Sequence, residues 1–412
     1  MSITRSRWGL SLRRAGLCLT VLGLLAGAGL LAVQTPAVQR WLVRSPVMDR
    51  LYRRFSPDPQ PYDTFREALL QHFPGFAYAS ITQRVVGSEH DPEAIIHKLT
   101  AFVHENVFAH RAYEPIDEVP VDVLRRGIGW CDQMSYLLVE LLDGRDIPAL
   151  VLLLRNEQGV SPHTVVNVHL KGAWRMVDPL YMYIPTNRSQ EIATRDEVCR
   201  GEAEFAYLPP QKIGLPVYLG LFCNEPTQRM RNVAAQALEV DPEPGHPTKA
   251  RSGSWQRLFA LPAWVGSDLY IDLYVQAMRE QYESEDEYAY AAARTYHVLG
   301  RFPEARRWYR RVLAAVPPSP HRDESHFFLG LVAYHAGDYE AAREIFDEIL
   351  EDPHSSRWAN YARLFAGKAL LARGATAEAR RYLQQVDVGD GEAPRDSMRL
   401  LQAIADNQPA VL

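Results

Sequence analysis

Three residues in this 412-residue chain have the types and spacing that nucleophilic chemistry needs: Cys131, His163 and Asp178. Cys131 opens a helical pattern that runs to Asp143, with Met134, Leu137, Leu138 and Leu141 on one face and Gly144 as a stop signal. Gly127 and Gly129 permit the turn that precedes it. A thiol at a helix start meets the positive end of the helix dipole and unpaired backbone N–H groups, which favour the thiolate. Those N–H groups, that of Cys131 included, can then hold the oxyanion of a tetrahedral intermediate. Position alone would suit a buried structural cysteine equally well. The histidine and the aspartate favour chemistry.

The runs 163–170 and 173–177 read as two strands around Lys171-Gly172, a two-residue hairpin turn. Pairing Leu170 with Ala173 sets His163 opposite Leu180 and Val165 opposite Asp178. Strand side chains alternate, so His163 and Asp178 project from one face as diagonal neighbours. A carboxylate there can fix the orientation and tautomer of an imidazole, which can take the thiol proton and later protonate a leaving group. Asn167 shares that face but lies about 13 Å along the strand. His169, further still, reads as an ordinary half-buried strand histidine. Asp132 and Asp146 read as helix-terminus and loop residues. A metal held by Cys131, His163 and His169 is a weak alternative, because histidines at positions 163 and 169 of one strand are too far apart for one ion.

The elements that must position these residues follow from periodicity. Asp91-Pro92 reads as an N-cap and first turn, and Ile95, Ile96, Leu99, Phe102, Val103 and Val107 form a helical stripe from Pro92 to Val107. Pro148 introduces Ala149 to Leu154, an apolar run read as a buried strand. Helix first and sheet afterwards describe an α+β domain.

The run 127–154, which begins Gly-Ile-Gly-Trp-Cys-Asp-Gln-Met-Ser-Tyr, resembles the nucleophile helix and following strand of the transglutaminase-like, papain-type superfamily. Ser-Pro-His-Thr-Val-Val-Asn-Val-His-Leu (161–170) and Gly-Ala-Trp-Arg-Met-Val-Asp-Pro (172–179) resemble its histidine strand and its Trp-x-x-x-Asp-Pro strand. The resemblance covers roughly residues 60–185. It implies Cys131 as nucleophile, His163 as general base and acid, and Asp178 as the orienting carboxylate. It also implies acyl transfer from an amide or peptide bond through a thioester, by hydrolysis or transamidation, with no metal or organic cofactor. Thr164-Val165-Val166-Asn167 departs from the aromatic and acidic residues that commonly follow the family's histidine. No upstream oxyanion side chain is assigned; Trp130 is the neighbouring candidate.

The C-terminal part repeats. Gly300, Gly337 and Gly374 are 37 residues apart, as are Ala305, Ala342 and Ala379, then Tyr309, Phe346 and Leu383, then Ala293, Gly330 and Gly367. Each unit reads helix, glycine-containing turn, helix, with breaks at Pro317 and Pro353. The segments 299–305, 336–342 and 373–379 resemble tetratricopeptide repeats, with three residues more than that family's usual 34. Thr376 makes the third repeat atypical, and 394–406 is a candidate closing helix. An all-α solenoid of this kind presents a concave surface to a protein partner.

Residues 15–33 are uncharged and apolar, long enough to span a bilayer, and Arg5, Arg7, Arg13 and Arg14 precede them. A transmembrane signal anchor is expected, with a cleaved signal peptide as the alternative because Ala26-Gly27-Ala28 lies inside the run. Arg40, Arg44, Arg50, Arg53 and Arg54 follow, yet the adjacent Arg13-Arg14 pair favours an inside N-terminus. The protein is then single-pass, with its body periplasmic or otherwise extracytoplasmic. The organisation reads as a basic head at 1–14, the anchor at 15–33, a spacer at 34–61 and the cysteine domain at 62–240. A Pro- and Gly-rich linker at 241–254, a junction helix at 255–284 and the repeats at 285–408 complete it. Net charge of −5 and the lack of a basic stripe argue against nucleic-acid binding. Cys18 reads as packing, and Cys199 and Cys223 read equally as a disulfide pair or as two thiols. Two functions remain open: a membrane-anchored cysteine enzyme acting on peptide or protein amides, and a catalytically silent envelope scaffold that binds partners through its repeats.

Overall fold

The computed structural model describes residues 35–55, 62, 64–109, 119–154, 161, 163–204, 223, 263–352, 356–387 and 392–406. The expected head, anchor and 241–254 linker lie outside the described residues, as do Cys18 and residues 56–61 of the spacer. Among the described residues no helix is long and apolar enough to cross a membrane.

The described residues form two compact units that divide at Pro74. The smaller contains α1 (Pro36–Val43), α2 (Pro46–Phe55), the first turns of α3 (Phe65–Val86) and α4 (Ala263–Met278). Val43, Tyr52, Phe65, Ala68, Leu69, Leu273 and Ala277 make its core. Phe73 stacks on Tyr274 at 3.3 Å between ring centroids. Asp49 accepts the Phe65 N–H at 2.8 Å, which closes the chain between α2 and α3. Thus the apolar stretch expected to cover the junction before the repeats forms its core with residues from before the thiol site, because Leu273 and Ala277 meet Phe65 and Leu69.

The larger unit holds the remainder of α3 and all elements of the site and the array. Its first part is α5 (Pro92–Asn106), α6 (Pro120–Arg126), α7 (Cys131–Asp143), β1 (Ala149–Leu154), β2 (His163–Leu170), β3 (Ala173–Val177) and α8 (Arg195–Cys199). The sheet is antiparallel in the order β1-β2-β3. Lys171 and Gly172 both take positive φ, 51° and 77°, as a two-residue hairpin turn requires, and Leu170 pairs with Ala173. Asp91 caps α5 by accepting the Ala94 N–H at 3.1 Å. Leu137, Leu138, Leu141 and Leu142 of α7 are fully buried, and burial of this kind stabilises by about 1.5–3 kcal/mol per side chain. Cys199 and Cys223 form a disulfide.

The second part is a tetratricopeptide-like array. Its helix pairs are α9 (Glu285–Val298) with α10 (Phe302–Leu313), α11 (Arg322–His335) with α12 (Tyr339–Glu351), and α13 (Ala359–Ala372) with α14 (Thr376–Gln384). First helices start at 285, 322 and 359, and second helices at 302, 339 and 376, so the 37-residue period governs the fold itself. Gly300, Gly337 and Gly374 occupy the turns at φ near +77°, the left-handed region that favours glycine. A Cβ on Gly330 would lie 2.5 Å from the Phe346 ring, which explains the small-residue column where paired helices touch. A final helix, α15 (Glu392–Ala405), closes the array.

Candidate thiol site

Cys131 is the first residue of α7 and a free, half-buried thiol. The turn that delivers it is held from three sides. Gly127 ends α6 at φ 73°, and the Phe108 N–H donates to its carbonyl at 3.0 Å. Gly129 donates back to the Phe108 carbonyl at 3.2 Å. A Cβ on Gly129 would lie 2.9 Å from both Val107 and Val123. Trp130 donates its backbone N–H to Gln133 Oε1 at 3.0 Å, so Gln133 fixes the start of the helix.

The hairpin register brings His163 and Asp178 together. Nε2 of His163 lies 2.8 Å from Asp178 Oδ2, which leaves Nδ1 as the ring nitrogen for the sulfur. The imidazole is within hydrogen-bonding reach of Cys131. Asp178 is fully buried, and its other oxygen accepts the N–H groups of Leu180 at 3.0 Å and Tyr181 at 3.2 Å. Its backbone exchanges two hydrogen bonds with Tyr183, so a closed turn holds the carboxylate rigidly. Burial alone would lower the basicity of His163. The Asp178 carboxylate, by charge and by hydrogen bond, and the Cys131 sulfur reverse this and raise the imidazole to about 10. The carboxylate thus favours the charged form of the imidazole against the effect of burial.

The residues set aside on spacing do stay apart. Asn167 pairs across the sheet with Leu150 and Met176, and its buried amide has no hydrogen-bond partner among the described residues. His169 is half-buried and packs on Trp174 with ring centroids 5.0 Å apart. No group of three metal-ligating side chains exists among the described residues.

Sequence reasoning missed the residues around Cys131, His163 and Asp178. Tyr181 stacks on His163 at 5.1 Å, with ring planes 23° apart. Its position three residues after Asp178 was a usable signal, because a turn closing on that aspartate returns the chain to the histidine. Other contributors come from the array. Arg294 of α9, fully buried, donates to the carbonyl of Asn106 at 2.8 Å and to that of Leu124 at 3.0 Å. Tyr290 Oη donates to the Arg126 carbonyl at 2.6 Å. These bonds satisfy carbonyls near the ends of α5 and α6, just before the turn that delivers Cys131. From α15, Arg395 lies over the Tyr181 ring at 3.6 Å, and Asp396 pairs with His104 at 2.9 Å. No local pattern marks either residue.

Comparison with known families finds a tetratricopeptide repeat model matching residues 271–320 and 290–357. No curated protein and no solved structure matches the chain.

Proposed function

We propose that this chain couples a protein-binding repeat array to a transglutaminase-like cysteine site that cleaves or transfers amide bonds. The carrying observation is the relay from buried Asp178 to His163, 2.8 Å apart, and on to a free thiol at a helix start. The proposed resting state is an imidazolium–thiolate pair. Cys131 Sγ attacks the amide carbonyl carbon while backbone N–H groups at the start of α7 receive the oxyanion. His163 gives its proton to the departing amine nitrogen, the C–N bond breaks, and a thioester remains. Water or a second amine then loses a proton to His163 and attacks the thioester, and Cys131 leaves as thiolate. The chemistry draws on no metal and no organic cofactor.

The setting is also a proposal: residues 15–33 anchor the chain, and the body lies outside the cytoplasm. The Cys199–Cys223 disulfide supports an oxidising compartment. The second reading, a silent envelope scaffold, is favoured by the tetratricopeptide match, since such repeats mediate protein–protein contacts.

Labelling Cys131 with iodoacetamide from pH 4 to 9 separates the two readings. Wild type, His163→Ala and a Cys131→Ala background control are compared. The enzyme reading expects fast labelling that persists well below pH 8 and collapses in His163→Ala. An ordinary thiol titration, unchanged by His163→Ala, would overturn it and leave the scaffold.

A further inference from the structure

The last helix of the repeat array reaches the thiol site by two routes. On the first, the Arg395 guanidinium sits 3.6 Å from the centroid of the Tyr181 ring, and Tyr181 stacks on the His163 imidazole at 5.1 Å. A cation held on one face of an aromatic ring fixes that ring's position. The stacking contact of that ring with His163 then restricts where the imidazole can turn. His163 is thus bounded by Asp178 at Nε2 and by Tyr181 across its plane.

On the second route, Asp396 Oδ2 lies 2.9 Å from His104 Nε2. Nδ1 of the same ring lies 3.2 Å from the Pro179 carbonyl and 3.1 Å from the Leu180 carbonyl. All three partners only accept, so His104 donates from both nitrogens as an imidazolium. Those carbonyls belong to the turn whose N–H groups hold the Asp178 carboxylate. Glu392 strengthens the docking of the same helix by accepting the Ala109 N–H at 3.2 Å and the Tyr361 hydroxyl at 3.0 Å.

Neighbouring residues of one helix therefore act on the histidine and on the aspartate of the relay. We propose that α15 is a working part of the thiol site, with Arg395 and Tyr181 as positioning residues for His163, and Asp396 and His104 as positioning residues for the turn that carries Asp178. The array does more than recruit: an event that displaces its last helix alters the geometry of the relay. This rests on the enzyme reading for its consequence in catalysis, but the positioning itself is measurable without it.

The test uses the full-length chain with ¹³C-labelled histidine. Wild type, Arg395→Ala, Arg395→Lys and the surface control Arg381→Ala are compared by the His163 imidazole resonance and by the pH profile of Cys131 labelling with iodoacetamide. Thermal melting serves to match folded states. Arg395→Ala is expected to shift the His163 resonance and to slow labelling about threefold to tenfold, with melting close to wild type. Arg395→Lys, which keeps a cation over the ring, restores most of both, and Arg381→Ala changes neither. If Arg395→Ala melts early, Tyr181→Leu supplies the same two readouts. An unchanged His163 resonance and an unchanged labelling profile in a folded variant would overturn the proposal while leaving the enzyme reading intact. If wild-type Cys131 titrates as an ordinary thiol, the enzyme reading falls; a His163 resonance that still moves with Arg395→Ala supports the positioning role, and one that does not overturns it too.

Discussion

The thiol site and the repeat array both bury histidines, and they drive them to opposite charge states. At the thiol site burial works against the cation, yet Asp178 and Cys131 raise His163 to about 10. In the array, His297 Nε2 and His335 Nδ1 lie 3.0 Å apart. Burial and then Arg294 push His297 well below its ordinary value. Burial lowers His335 to about 4 against the pull of Glu105, with Arg84, Lys368 and Arg294 adding to the lowering. Burial by itself selects the neutral ring, and one hydrogen-bonded carboxylate reverses that choice. A histidine drawn toward its cation and one held as a neutral core ring thus differ by their partners, not by their depth.

Removing the carboxylate charge breaks the comparison most directly. Asp178→Asn turns His163 into a buried histidine without its counter-charge, and labelling of Cys131 at neutral pH is expected to fall about tenfold to thirtyfold, toward the few per cent of thiolate that an unassisted thiol holds there. A smaller loss, under tenfold, would mean that Asp178 does not control the ring.

The array offers the mirror experiment. Lys368, almost fully buried, pairs with Glu105 beside His335. Lys368→Met leaves Glu105 without its main partner and is expected to cost about 3 kcal/mol in chemical denaturation. Glu105 then faces His335 unopposed, so the His335 resonance is expected to titrate at higher pH. The double variant with Glu105→Gln should regain a good part of the stability.

Two left-handed glycines sharpen the contrast in packing. A Cβ on Gly127 would come within 2.4 Å of Phe328 and 2.9 Å of Arg294, whereas one on Gly337 would meet open space. Gly337→Ala therefore costs only backbone strain, about 1 kcal/mol, while Gly127→Ala costs about 2–3 kcal/mol because array side chains must also move. Equal losses would show that the turn before Cys131 is not clamped by the array.

The same contrast extends to pH dependence. His163 is raised above its ordinary 6.5, so its contribution to stability is complete below pH 6.5 and is lost as pH rises through about 10. His335 is lowered, so its contribution is complete above pH 6.5 and is lost as pH falls through about 4. Melting temperature is expected to peak near pH 6.5 and to fall by a few degrees on either side. Asp178→Asn should flatten the alkaline limb, and His335→Asn should soften the acid limb.

What could be read from the sequence is what local geometry dictates. The two-residue turn at Lys171-Gly172 fixes the register of β2 and β3, and with it the meeting of His163 and Asp178. The 37-residue columns fix helix starts across the array, because repeat contacts join near neighbours in the chain. Cys131 at the head of α7 followed from glycines before it and leucines after it. Only the tertiary structure decided the rest. Arg294 reaches Leu124 across 170 positions, and Asp396 reaches His104 across 292. The Cys199–Cys223 bond and the clustering of Leu273 with Phe65 likewise depend on distant segments meeting. Periodicity and turn chemistry carry information over one or two elements; which distant arginine covers which tyrosine is settled when whole surfaces pack together.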